Sequence, residues 1–177
     1  MDKKYSIAEI EKEVNRLAAK IDASGDMLPT YGFSRDYAYP HIEVDSHGYH
    51  YVIVERGKEL KRVTTGELDV LLYHIFEGIT AEMGSKYSAT HRVENQDFRR
   101  LYFERQIGLL NLLYPKWAEV ESKEHERILQ QHPYDDDSQI RANYSKTLRE
   151  QGHSSEEAWR MACQKYPLPE QLAQRTL

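Results

Sequence analysis

The chain has 177 residues, with 24 lysines and arginines against 29 aspartates and glutamates, a formal net charge of −5. This length suits a single domain over residues 1–177, and the absence of any window rich in Lys and Arg argues against nucleic acid as a ligand. One cysteine, Cys163, excludes an internal disulfide, and neither a signal peptide nor a membrane-spanning run is visible, so we expect a cytosolic protein without membrane contact.

The first predicted element is an amphipathic helix that ends near Gly25. Ser6 and Glu9 have the spacing of a capping box, and apolar residues then recur at intervals of three and four from Ile7 to Ile21. The pattern breaks in the aromatic stretch from Leu28 to Tyr39, which we interpret as a loop folded over the core or presented to a partner.

Alternating apolar residues after Pro40 predict β-structure. Ile42, Val44, Val52 and Val54 recur at the period of a strand, and glycine-containing turns separate three runs. We expect a three-stranded antiparallel meander with strands at about Tyr39–Asp45, Tyr49–Glu55 and Glu59–Val63. A sheet of this size needs helices against one face, which makes the fold class α+β.

The rest of the chain is predicted to be mostly helical. Thr64 and Glu67 suggest a second capping box, followed by an apolar stripe that reaches Met83. We expect a polar surface connection at Gly84–Gln96 and then a central helix at Asp97–Leu113, whose circumference is about two-thirds apolar.

Three further helical segments follow the central helix. Pro115 opens a new or kinked helix that runs to Gln131, because proline is tolerated in a first turn. A helix with Asp136 or Asp137 as its N-cap ends near Gly152, and a third capping box at Ser154 and Glu157 starts the last helix. The final PLPEQLAQRTL is expected to be extended and partly frayed.

The most enzyme-like group is His41, Glu43 and Asp45, which alternate along one predicted strand, with His47 and His50 after the turn. Histidines and carboxylates on one face suit a divalent metal or proton transfer. A half-exposed antiparallel strand also puts such residues toward water, and the same face would suit a binding partner. No further ligand is indicated by spacing, so the solvated face is favoured.

The run Asp135, Asp136 and Asp137 directly precedes a predicted helix. Negative charge is favoured there by the helix dipole and the unpaired amides, so capping is the favoured interpretation, with a cation site as the alternative. A cap needs only one carboxylate. The other two would form a compact acidic spot that suits a basic cleft.

Several segments together resemble the immunity proteins of bacterial polymorphic toxin systems, and the immunity protein 63 family in particular. They are PHIEVDSHGYHYVIVERGKE, LDVLLYHIFEGIT, QDFRRLYFERQIGLL, HPYDD and the closing YPLP, spread over about Tyr31 to Pro169. The resemblance rests on aliphatic, aromatic and arginine patterns, because no catalytic motif is present.

This resemblance implies a single small, cytosolic, non-enzymatic domain without a cofactor, which forms a heterodimer with the C-terminal domain of its cognate toxin and covers the active site. A nuclease or an ADP-ribosyltransferase would suit the acidic balance. Two alternatives stay open, a metal-dependent or acid/base enzyme that uses His41, Glu43 and Asp45, and an intracellular adaptor. Tyrosines are frequent interface anchors. The predicted partner-binding residues are Tyr37, Tyr39, His41, Glu43, Asp45, Asp135, Asp136 and Asp137.

Overall fold

The computed structural model describes residues 4–169, which contain six α-helices, four strands and a short 3-10 turn at Gly25–Met27. The helices are α1 (Ile7–Lys20), α2 (Leu68–Thr90), α3 (Phe98–Leu113), α4 (Pro115–Gln131), α5 (Ser138–Glu150) and α6 (Ser155–Lys165). The strands are β1 (Thr30–Tyr31), β2 (Tyr39–Asp45), β3 (Gly48–Glu55) and β4 (Lys58–Thr65). The described chain divides into two compact units, residues 4–83 with 105–119 and residues 84–104 with 120–169.

The α+β class is confirmed, but the sheet is mixed and has four strands, whereas the sequence predicted three antiparallel ones. Strands β2, β3 and β4 form the predicted meander, and β1 adds a parallel edge beside β2 with Thr30 opposite His41. A two-residue strand inside an aromatic loop has no alternation to detect, which is why β1 was missed. Arg56 and Gly57 adopt φ values of 51° and 72° in the β3–β4 turn, as a tight hairpin requires.

The inner face of the sheet packs on helices in the first unit. Ile42, Tyr49 and Tyr51 point into one apolar cluster with the buried stripes of α1 and α2. The capping box of α1 is present, since Ser6 and Glu9 each accept a hydrogen bond from the other's backbone amide. This cluster accounts for the apolar periodicity by which the sequence predicted the two helices.

The start of α2 differs from the predicted capping box at Thr64. The Thr64 hydroxyl lies 2.9 Å from His50 Nδ1, whereas the Thr65 hydroxyl accepts the hydrogen bond from the Glu67 amide at 3.0 Å. Cross-strand pairing of His50 with Thr64 therefore outweighs the local capping pattern.

Helix α2 continues to Thr90, so the predicted surface connection at residues 84–96 is wrong over its first seven residues. Gly84 is buried within the second unit, and a Cβ at this position would lie 2.8 Å from the Tyr102 ring and 2.9 Å from its carbonyl oxygen. The apolar stripe fades here because the close contact is made by a residue without a side chain. Tertiary packing therefore sustains a helical turn that the sequence pattern does not indicate.

The predicted central helix corresponds to α3. Leu109, Leu110 and Leu113 are buried in the core of the first unit, while Phe98 and Leu112 are exposed, so this helix is less enclosed than predicted. Gln106 is buried and donates from Nε2 to the Glu77 carbonyl oxygen at 3.3 Å. A separate helix, α4, starts at Pro115, and the Trp117 indole donates to Asp69 at 3.1 Å.

Helices α5 and α6 pack together in the second unit, with Leu148, Ala158 and Ala162 buried. Gly152 ends α5 at a φ of +99°, and the Ser154 hydroxyl accepts a hydrogen bond from the Glu157 amide, as predicted. Residues 170–177 of the predicted extended tail lie outside the described residues. Over residues 4–169, every helix is too short or too polar to cross a lipid bilayer.

We expect Gly84→Ala to lower the free energy of unfolding by about 1–3 kcal/mol, because its methyl group would overlap the Tyr102 ring and backbone. The matched control is Gly108→Ala in α3, where a Cβ meets nothing within 4 Å. This control should gain about 0.5–1 kcal/mol from the helix propensity of alanine. Urea unfolding measures both changes, and equal effects would contradict the assigned close contact.

Candidate functional site

His41, Glu43 and Asp45 share the outer face of the sheet, opposite the helices. Glu43 lies directly across from His50 of β3, and Val52 lies between His41 and Arg62. The predicted alternation is therefore confirmed.

Glu43 is held between a histidine and an arginine. His41 Nε2 lies 3.1 Å from Glu43 Oε1, and Arg62 Nη1 donates to Glu43 Oε2 at 2.8 Å. Arg62 also binds both carboxylate oxygens of Glu59. The hydrogen bond from Arg62 holds the pKa of Glu43 below its ordinary value against the effect of burial, and His41 lowers it further. Glu43 is thus an oriented anion.

Asp45 is a second oriented anion, at the end of β2. His50 Nε2 lies 2.9 Å from Asp45 Oδ1, and the His47 amide donates to the same oxygen at 2.7 Å. These two contacts, His50 first, hold the pKa of Asp45 well below its usual range. The Lys4 ammonium group donates to the Asp45 carbonyl oxygen.

The prediction of a solvated face holds for the carboxylates and is wrong for two histidines. The side chains of Glu43 and Asp45 are 39% and 53% exposed, whereas those of His41 and His50 are only 4% and 6% exposed. Residues 4–169 contain no group of three or more His, Cys, Asp or Glu side chains placed to hold a metal. Both carboxylates have lowered pKa values and stay ionised near neutral pH, and Arg62, which Glu43 shares with Glu59, offsets part of this negative charge.

The aromatic loop before β2 presents one tyrosine to solvent and anchors the next. Asp36, Tyr37 and Ala38 have left-handed φ values of 63°, 56° and 57°, and Tyr37 is 89% exposed. Such backbone is costly for residues other than glycine. The Tyr39 hydroxyl contacts the carbonyl oxygens of Asp26 and Leu28 at 2.7 and 2.6 Å.

Local hydrogen bonds hold the left-handed turn in place. The Ser34 hydroxyl accepts from the Asp36 amide at 3.0 Å, and Asp36 Oδ1 accepts from the Tyr37 amide at 2.9 Å. The Ala38 amide then donates to Val54 of β3 at 2.8 Å. The backbone at Tyr37 is therefore fixed on both sides, and its ring projects from a defined position.

In the second unit, two carboxylates of the aspartate run bind arginines, and the capping interpretation is confirmed only for the N-cap position and not for its hydrogen bond. Asp135 accepts two hydrogen bonds from Arg141, at 2.6 and 2.9 Å. Asp136 accepts two from Arg100, both at 2.9 Å. Asp137 occupies the N-cap of α5, but its side chain makes no capping hydrogen bond. The carboxylates of Asp135 and Asp136 are thus charge-compensated inside their own unit.

Arg141 and Asp97 connect this run to other segments of the second unit. Arg141 is 1% exposed and also donates to the Tyr166 and Pro167 carbonyl oxygens at 2.7 and 2.9 Å. Asp97 accepts hydrogen bonds from Arg99 and from the Asp135 amide. Sequence reasoning missed this network. The sequence does contain a signal for it. Two arginines follow closely after Asp97, and their positive charge is opposite to that of the later aspartate run.

Comparison with known proteins gives one match. The model of the family described as Immunity protein 63 matches residues 45–127. That span is slightly under half of the chain and narrower than the resemblance drawn from the sequence, but it confirms the predicted family resemblance. No curated protein and no solved structure matches the chain.

The Imm63 match covers β3, β4, α2, α3 and most of α4. Among the eight predicted partner-binding residues, only Asp45 lies inside it. Tyr37 and the carboxylates of Asp135 and Asp136 lie outside. The match therefore covers two of the strands that form the outer face and the helices that follow them. The individual contact residues remain a prediction.

Asp135→Asn should destabilise the protein by about 3 kcal/mol, because it leaves the buried Arg141 guanidinium without its counter-charge. Glu124→Gln is the matched control, since Glu124 makes a similar bidentate pair with Arg127 on an exposed helix surface. Exposed pairs contribute little, so this control should unfold at nearly the wild-type denaturant concentration. An Asp135→Asn variant that unfolds at nearly the wild-type denaturant concentration would contradict a structural role for the buried pair.

Acidification should weaken the second unit through Asp97 and Asp136. Burial alone would raise the pKa of Asp97, but hydrogen bonds from Arg99 and from two amides outweigh burial and hold this pKa below its ordinary value. The hydrogen bond from Arg100 lowers the pKa of Asp136. A carboxyl group whose pKa is lower in the folded than in the unfolded state stabilises the fold at pH values above its unfolded pKa of about 3.9. This stabilisation is lost as the pH falls through the folded-state pKa. Unfolding monitored from pH 6 to pH 2 should show Asp136→Asn losing less stability than wild type. A profile identical to wild type would contradict this assignment.

Proposed function

We propose that this protein is an immunity protein that binds the C-terminal domain of a cognate bacterial toxin and covers its active site. The observation that carries the proposal is the match of residues 45–127 to Immunity protein 63. In this proposal the chain forms a heterodimer in the cytosol as a single functional domain and catalyses no reaction of its own.

The surface that best suits such a partner is the Tyr37 loop with the exposed carboxylates of Glu43 and Asp45. An exposed aromatic ring on a fixed backbone loses little conformational entropy when it is buried, which is the property of an interface anchor. Tyr39 supports the loop from below through its hydroxyl contacts. The buried His41 and His50 would orient the two carboxylates.

The charge of this surface suits a toxin with a basic cleft. Nucleases and ADP-ribosyltransferases bind phosphate groups, so their active sites carry positive charge. Carboxylates that are already oriented by Arg62 and His50 can approach such a cleft with little reorganisation, and complementary charge raises the association rate. Contacts from Asp135, Asp136 and Asp137 stay part of the prediction, although Asp135 and Asp136 also hold the second unit together.

The primary test is co-expression with the C-terminal domain of a toxin encoded beside this gene. We expect a stable one-to-one complex and recovery of growth in cells that express the toxin domain. Binding without recovery would favour an intracellular adaptor. Activity of the isolated chain that responds to chelation and requires His41 and Glu43 would favour the enzyme alternative.

Tyr37→Gly should separate binding from folding. Glycine adopts a φ near +56° without strain, so the fold is retained, whereas loss of the ring should weaken toxin binding by about 2 kcal/mol, or about thirtyfold in Kd. Ala38→Gly is the matched control, because it makes the same backbone change one residue later and keeps the ring. Calorimetric titration measures both, and equal Kd values for the two variants would remove Tyr37 from the interface.

A further inference from the structure

The edge of the sheet formed by β4 is open. This strand has eight residues, six of them exposed, and within residues 4–169 only β3 pairs with it. The opposite edge of the sheet is β1, which is two residues long. Alternate residues of an edge strand turn their backbone N–H and C=O groups away from the sheet. A row of hydrogen-bonding groups therefore faces solvent along β4.

The second half of β4 has the regular backbone that another strand can pair with. Leu60 is an extra residue between the partners of two consecutive β3 residues, so it forms a β-bulge. After the bulge, each of residues 61–65 lies opposite one residue of β3. None of these five residues is a proline, so each one carries a backbone amide. Residues 61–65 are thus long enough and regular enough to bind an added strand.

The β3–β4 hairpin carries an excess of positive charge. Arg56, Lys58 and Lys61 are exposed, and none of them forms an ion pair with another described residue. Exposed Glu55 offsets one of these three charges. The charge of Arg62 is already balanced by the two carboxylates that it binds on the outer face. The open edge therefore favours a partner segment of negative charge.

Two side chains of β4 indicate which residues an added strand has to present. Lys61 lies opposite Ile53 and Val63 lies opposite Tyr51, so Lys61 and Val63 point to the same face of the sheet. Lys61 Nζ is exposed to solvent and lies 5.5 Å from the centre of the Tyr51 ring, whereas Val63 is partly buried against the core. A suitable strand therefore carries an acidic side chain beside Lys61 and an apolar one, two residues away, beside Val63.

We propose that an extended acidic segment of the toxin domain adds to the sheet as a fifth strand along residues 61–65, a proposal that rests on the immunity function above. Backbone hydrogen bonds hold this segment in place, and the cations of the hairpin select its carboxylates. All of β4 lies inside the residues that match Immunity protein 63, unlike seven of the eight residues predicted to contact the partner.

Strand addition at this edge also brings the toxin beside the outer face of the sheet. β2 lies two strands away from β4, a distance of about 10 Å. A toxin domain anchored at the edge can therefore present its basic cleft to Glu43 and Asp45, while its acidic segment lies outside that cleft. The two contacts have opposite charge, so together they fix the orientation of the partner.

The first experiment measures amide hydrogen exchange by NMR in the full chain, free and bound to the toxin domain. In the free chain, alternate amides of residues 61–65 face solvent and exchange fast, because only their neighbours donate to β3. In the complex, these fast amides should exchange at least tenfold more slowly, because they donate to the added strand. Contact through side chains alone would leave the alternation unchanged.

The second experiment reverses the charge of the edge with Lys58→Glu and Lys61→Glu together. Toxin binding, measured by calorimetric titration, should weaken about tenfold. The matched control is Lys12→Glu with Lys116→Glu, because both lysines are exposed on helices of the same unit and the change in net charge is equal. The Kd of the control should stay within threefold of wild type.

The outcomes separate this proposal from the immunity function. A complex in which the alternate amides still exchange fast, or in which the charge-reversed edge binds as the control does, overturns strand addition while the immunity function stands. A chain that never binds the toxin domain overturns both. Slow exchange of the same amides in the concentrated free chain identifies a second copy as the added strand and overturns the proposal. If the charge-reversed chain fails to fold, amide exchange alone decides the matter.

Discussion

Burial of the inner face of the sheet against α1 and α2 is the interaction on which the first unit depends. Ile42, Tyr49 and Tyr51 enter one apolar cluster, and strand alternation then forces the residues between them onto the outer face. A slip of one residue in β2 would bury Glu43 and expose Ile42. The hydrophobic core thus determines where the oriented carboxylates lie, although it makes no contact with a partner itself.

The second unit depends more on charge than on apolar area. Among its described residues the buried apolar side chains are few, namely Phe103, Leu148, Ala158 and Ala162, and guanidinium groups bridge segments that lie far apart in sequence. Arg141 connects the aspartate run to the carbonyl groups at Tyr166 and Pro167, and Arg99 connects Asp97 to the His132 and Pro133 carbonyl groups. Every donor used in these contacts has an acceptor of good geometry, which is the condition under which buried charge is tolerated.

Local patterns predicted most of the fold, because most of its elements have an apolar side at a regular period. The three meander strands lie within two residues of their expected bounds, whereas helix α1 ends at Lys20, five residues before its expected end near Gly25. Residues 84–90 were missed because their packing relies on a glycine, and β1 because two residues show no period. The role of Asp135 was missed because its carboxylate accepts hydrogen bonds from the Arg141 side chain. The residue pattern of a helix start predicts capping of backbone amides and does not predict such a pair.

The candidate site was predictable as a face and not as a set of contacts. Alternation placed His41, Glu43 and Asp45 together, yet it could not show that the histidines would be buried while the carboxylates stay partly exposed. The exposure of Tyr37 likewise follows from three consecutive left-handed residues, of which only Asp36 is a type commonly found there. The match to the Immunity protein 63 model says nothing about this loop, since the match begins at Asp45.

The position of β4 at the end of the sheet has a consequence for solubility. Its unpaired edge is the place where a second copy of the chain could add a strand and begin an aggregate. Lys58, Lys61 and Arg62 lie along this exposed strand, so two copies that approached edge to edge would set like charges against each other. Positive charge on this strand thereby disfavours the addition of a second copy at this edge of the sheet.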